Sequence, residues 1–134
     1  MKKKTLNLGL YFLLLSVTSL VVFVGCKDDE SVNKADFIGS YSVTEVCNGN
    51  NAGYILTIGD VVGSDNEVTV TNLWDWEETI NATISDNVLM IPAQLADEVT
   101  FTGSGFFSGA DLVITYTAVD DLGTENCAAT ATRQ

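Results

Sequence analysis

The side chains able to do chemistry are few and unevenly spread. The 134 residues include no histidine. That excludes Ser-His-Asp and Cys-His catalysis and histidine-ligated zinc. Three cysteines occur, Cys26, Cys47 and Cys127, and two tryptophans stand together in Trp74-Asp75-Trp76-Glu77-Glu78. Exposed rings beside carboxylates can stack on a sugar or clamp a cationic or apolar ligand. Folded inward, the same two rings would plug one end of a core. Acidic residues gather at Asp60, Asp65 and Glu67 and again at Asp120, Asp121 and Glu125. Calcium needs about six to eight converging oxygens. No EF-hand spacing gathers them, so these segments read as solvated turns and no metal site is expected. Carboxylate pairs run glycoside hydrolysis, but a domain of roughly 100 residues leaves little room for a substrate cleft. No glycine-rich loop opens a helix to cradle phosphate. The expectation is no catalytic residue, no cofactor and no enzyme.

The charge balance narrows the partners. Six Lys+Arg face 18 Asp+Glu, a formal charge of −12. A phosphate backbone would be repelled, so no nucleic acid is expected. Hydrophobic residues make up 46% of the chain, with one proline and eleven glycines. That is a composition for a packed domain rather than a disordered one.

The elements that place these residues begin with a leader. Lys2-Lys3-Lys4 precede an apolar run from Leu6 to Gly25. A basic start and an apolar stretch make a secretory signal, although twenty such residues could also stay as an anchor helix. The run ends in Phe23-Val24-Gly25-Cys26. It resembles a bacterial lipobox, which implies cleavage before Cys26 and lipidation of that cysteine. Acylation at Cys26 would hold the protein on a membrane. The following Lys27-Asp28-Asp29-Glu30 resembles the surface-export signal of Bacteroidota lipoproteins, and it also fits a plain acidic tether. The expected division is a signal peptide over 1–25, a lipidated acidic tether over 26–36 and one domain over 37–134. The expected location is the outer membrane, lipid-anchored and exposed at the cell surface. Cleavage leaves Lys27, Lys34 and Arg133 against all 18 acids, a formal charge of −15 over 109 residues. Such a charge favours a monomer and disfavours anionic ligands.

From residue 37 onward, alternating segments are separated by Gly/Asn/Asp/Ser turns, with no long helical period. Strands are predicted over 37–47, 53–60, 66–73, 78–85, 88–92, 98–108, 112–119 and 124–133. The connection over 92–97 reads as a possible helical turn. Most strands have one apolar face, as in Ile80, Ala82 and Ile84 or Leu112, Ile114, Tyr116 and Ala118. One-sided burial with short hairpins implies an antiparallel meander. Closing on itself removes its edges. The expected fold is all-β, an up-and-down antiparallel barrel of about eight strands.

The two remaining cysteines bear on closure. In an exported protein a Cys47–Cys127 disulfide is the simplest pairing, with two buried thiols as the alternative. Cys47 ends the first strand and Cys127 lies near the start of the last. Opposed residues in an antiparallel pair keep a constant sum of numbers. Pairing the cysteines therefore sets Val43 against Ala131 and Tyr41 against Arg133, the chain's only arginine. Gly39-Ser40-Tyr41 resembles the Gly-x-Trp signature of lipocalins and related calycin barrels. The resemblance implies that Arg133 packs on the Tyr41 ring and closes one barrel end. A strand glycine and a solvated terminal arginine would fit the residues as well. The whole of 37–134 resembles small lipocalin-like surface lipoproteins of Bacteroidota.

Two functions follow as expectations. One is a lipid-anchored, lipocalin-like binding module for a small, mostly apolar or neutral ligand. Its contacts would be Trp74, Trp76, Glu45 and Tyr116. Glu45 shares the parity of Tyr41, Val43 and Cys47, so it points inward. There it would anchor a ligand amine or hydroxyl, or sit in water near the barrel mouth. The other function is a structural or protein-interaction lipoprotein with a filled barrel and no ligand.

Overall fold

The computed structural model describes residues 31–134. The leader, Cys26 and the tether up to residue 30 lie outside the described residues. Eight strands form one closed antiparallel barrel in sequence order, the lipocalin-like up-and-down arrangement. They are β1 (Gly39–Cys47), β2 (Asn50–Asp60), β3 (Glu67–Thr71), β4 (Thr79–Ser85), β5 (Val88–Ala96), β6 (Val99–Ser108), β7 (Asp111–Val119) and β8 (Thr124–Arg133). Strict alternation drives closure. In β1 the residues Tyr41, Val43, Glu45 and Cys47 face in while Ser40, Ser42, Thr44 and Val46 face out. The turns use left-handed backbone at Asn48-Gly49, Asp86-Asn87 and Asp97-Glu98. Two successive positive φ angles match the right-handed twist of the strands they join.

Closure follows one register. β1 pairs with β8 from Tyr41↔Arg133 to Cys47↔Cys127, passing through Val43↔Ala131. Cys47 and Cys127 are disulfide-bonded across 80 positions of sequence.

Three local expectations give way. The chain over 34–37 is not strand or free tether but a helical turn, α1 (Lys34–Phe37). Asn33 caps it, and its buried Phe37 covers the barrel end. The hydrophobic gain of burying Phe37 outweighs extension of β1. The tether's Lys34 is tied down too. Its Nζ is 2.6 Å from Asp60 and donates to the Val61 and Ser64 carbonyls. The segment over 92–97 is not a helical turn either, because β5 runs on to Ala96 after an irregularity between Ile91 and Gln94. Pro92, with no N–H to donate, lies where β4 and β5 part, and those strands pair only from Thr83↔Met90 to Ser85↔Val88. Beyond that point the Gln94 side chain does the work of a strand. Its Oε1 accepts from Asn81 N–H at 2.8 Å and its Nε2 donates to Asn81 O at 2.6 Å.

Gly103 brings β6 tight against β7, where it pairs with Tyr116. A Cβ there would lie 2.4 Å from Thr115 O and 2.5 Å from Tyr116 Cβ. The absent side chain therefore fixes where Tyr116 stands.

Candidate functional site

The inward faces of β1, β2 and β7 bring three polar side chains to one end of the barrel. Glu45 is 1% exposed, the one buried charged residue of the core among the described residues. It is not in water at the mouth. Tyr54 donates its hydroxyl to Glu45 Oε2 at 2.6 Å, and Tyr116 donates to the same oxygen. Burial, first of all, pushes both tyrosine hydroxyls above their ordinary pKa. The hydrogen bond and charge of Glu45 add to this at Tyr54, and the charge of Tyr54 followed by Glu45 adds at Tyr116. Both phenols therefore stay protonated as donors.

The other carboxylate oxygen is treated differently. Glu45 Oε1 lies 3.3 Å from Cys47 Sγ. That sulfur is bonded to Cys127 and carries no hydrogen, so the approach is a contact and not a hydrogen bond. Among the described residues, Oε1 has no donor. The trio of Glu45, Cys47 and Cys127 is close enough to suggest metal ligation, but the two sulfurs are already bonded to each other. A metal takes thiolates.

A lid covers this end. The β3–β4 connection folds into a short 3-10 turn, Leu73–Asp75. Its Trp74 N–H donates to the Tyr54 hydroxyl at 3.2 Å, and the Trp74 indole N–H donates to Glu125 at 2.9 Å. Trp74 and Trp76 have ring centroids 6.0 Å apart, and Trp74 meets Phe101 edge-on at 6.2 Å. Phe101 in turn lies 6.3 Å from Tyr116. The lid is held in a disfavoured shape. Asn72, Trp74 and Asp75 all have positive φ, at 68°, 65° and 51°. Asn and Asp tolerate that region, whereas a bulky residue such as Trp74 gives up about 1–2 kcal/mol. Two buried lid atoms, Asn72 Oδ1 and Trp76 Nε1, have no hydrogen-bond partner among the described residues.

The opposite end is built otherwise. Arg133 Cζ stands 5.4 Å from the centre of the Tyr41 ring. The Tyr41 hydroxyl donates to Phe37 O at 2.7 Å and accepts from Arg133 at 3.0 Å. The guanidinium also donates to the Ile38 carbonyl at 3.0 Å and to that of Asp36. Burial raises the Tyr41 pKa and Arg133 opposes the rise. Gly39 leaves room here, since a Cβ on it would sit 3.3 Å from Arg133 Nη1.

The structure thus gathers Glu45, Tyr116, Trp74 and Trp76 at one mouth and places Gly39, Tyr41 and Arg133 at the other end. Sequence reasoning gave Tyr54 no site role and treated Glu125 only as a turn acid. Tyr54 had a signal, since it shares inward parity with Leu56 and Ile58. Glu125 had none, because its partner Trp74 is 51 residues away. Inward side chains, Tyr41, Leu56, Ile91, Phe101 and Leu112 among them, fill the barrel. A surface depression of about 560 Å³ lies on the outer wall of β5–β8 and is lined by Met90, Pro92, Thr102, Thr115 and Asn126 among others.

No protein-family model matches the chain, and no curated protein matches it in sequence. Among solved structures it is similar to the zebrafish ileal bile acid-binding protein complexed with cholic acid. The identity is 15%, over 74% of this chain and 99% of that chain, with a TM-score of 0.41. The class of this protein, a closed eight-strand lipocalin-like barrel, is defined by its own strand order and register.

Proposed function

We propose that this chain is a lipid-anchored binding barrel of the bacterial cell surface, taking a small, mostly apolar ligand at the mouth beneath Trp74 and Trp76. The observation that carries the reading is Glu45. A buried carboxyl is costly, and apolar residues of similar size in its place are often neutral or stabilising. A core that only had to fold would not need it. The strained aromatic lid above supports the same reading, because a cover with unpaired polar atoms is easier to displace than a fully satisfied one. With the interior filled, a ligand must lift the lid to reach Glu45. The anchor rests on the lipobox-like segment ending at Cys26.

A second reading, a filled barrel that contacts another protein, draws on the close packing of the interior. Native mass spectrometry of the protein extracted from its own membrane separates the two. The binding reading expects acyl mass on the chain and a retained small molecule. A lipidated chain without one, whose tryptophan emission ignores small apolar probes, would favour the second. For the anchor, Cys26→Ala is expected to abolish labelling by a radioactive fatty acid, and labelling that persists in the variant would overturn that part.

A further inference from the structure

We propose that the mouth is specific for a primary alkylammonium, its cation seated on Glu45 Oε1 and its apolar body under the two tryptophans. The inference rests on the binding reading above and names the ligand's chemistry.

Three observations converge. Both tyrosine hydroxyls spend their protons on Glu45 Oε2, which leaves Oε1 buried with no donor among the described residues. An acceptor of that kind calls for a donor, and a charged donor is the strongest partner for a carboxylate. Among the described residues no cationic side chain serves it: Arg133 caps the opposite end, and Lys34 is bound to Asp60. The second observation is the aromatic surface next to the carboxyl. Tyr54 and Tyr116 contact its other oxygen, and Phe101, Trp74 and Trp76 follow ring to ring from Tyr116. Ring faces attract ammonium groups and accept alkyl chains equally well. The third is the field. With 18 acids in the chain, a cation is drawn in and an anion repelled.

The device therefore has a division of labour. Tyr54 and Tyr116 hold one oxygen and orient the carboxyl. The free oxygen takes the ammonium. Trp74 leaves when the ligand enters, and it must release Tyr54 and Glu125 to do so.

The test uses the full chain in lipid nanodiscs, with empty nanodiscs subtracted. Hexylammonium, hexanol and hexanoate are titrated near neutral pH and followed by tryptophan emission and calorimetry. The expectation is that hexylammonium binds about tenfold or more tighter than hexanol, the gain from a hydrogen bond to a charged group. Hexanoate should be weakest. In Glu45→Gln the advantage over hexanol should vanish. It should survive high salt in the wild type, since a buried pair is poorly screened. Equal binding of hexylammonium and hexanol overturns the ammonium assignment and leaves the apolar mouth standing. So does an ammonium advantage that persists in Glu45→Gln or disappears with salt. If none of the three probes binds, the binding reading falls as well. Should Glu45→Gln fail to fold, the wild-type ratio of hexylammonium to hexanol decides alone, and a ratio of one refutes the proposal.

Discussion

The two ends of this barrel solve the problem of a buried polar group in opposite ways. At the Arg133 end the Tyr41 hydroxyl both donates and accepts, and the guanidinium spends its donors on main-chain carbonyls and the tyrosine ring. At the Trp74 end one carboxylate oxygen, one amide oxygen and one indole N–H lack hydrogen-bond partners among the described residues, and the covering turn has three residues with positive φ. Satisfied networks rigidify a fold, whereas a buried polar group without a partner is costly and rare in native folds. Under the proposed function, the satisfied end serves closure and the other end serves recognition.

The seam between β1 and β8 joins the ends, and breaking it should have the largest effect. Reducing the Cys47–Cys127 bond frees a loop of 80 positions in the unfolded chain. The expected loss is about 4–5 kcal/mol in chemical denaturation, less any residual structure in the reduced chain. A loss below about 1 kcal/mol would mean that the register alone holds the seam.

Next comes the mouth. Tyr116→Phe removes one of the two donors from a buried carboxyl and should cost about 1–3 kcal/mol. The same residue carries a pH signature. Tyr54 and Tyr116 have folded pKa values raised above the ordinary 10.0. The unfolded phenols ionise first as pH rises, so stability is full below about pH 10 and falls above it. Tyr116→Phe should flatten that fall. Denaturation curves from about pH 8 to about pH 11 check it, and an equally steep fall in the variant would remove Tyr116 from the account.

The smallest effect is expected at the closed end. Arg133→Ala should cost about 0.5–2 kcal/mol, because an exposed cation stays partly hydrated. A larger loss than that of Tyr116→Phe would reverse the ranking of the ends.

The sequence showed the closed end more fully than the mouth, for a physical reason. Strand alternation and a single cysteine pairing propagate along a ladder, so Tyr41↔Arg133 and Val43↔Ala131 follow from Cys47↔Cys127 by counting. The same parity turned Glu45 inward. Nothing periodic describes a lid. The left-handed backbone of Trp74, its indole on Glu125 and the donation of its N–H to Tyr54 are set by tertiary contacts across 20 to 51 residues. β5 was cut short at Pro92 for a related cause. Proline breaks a ladder only where its N–H is needed, and here β4 has already parted from β5. The short helix α1 was hidden too, because Phe37 reads as strand until the barrel end it covers is known.

Hydrogen exchange of the full chain, read peptide by peptide, tests most directly whether recognition and closure are divided between the ends. The account predicts that amides over 72–78 exchange faster by about two orders of magnitude or more than those of β1 from Tyr41 to Cys47, since a lid that opens locally exchanges without global unfolding. Equal protection of the two segments would contradict it, making the Trp74 end as closed as the Arg133 end.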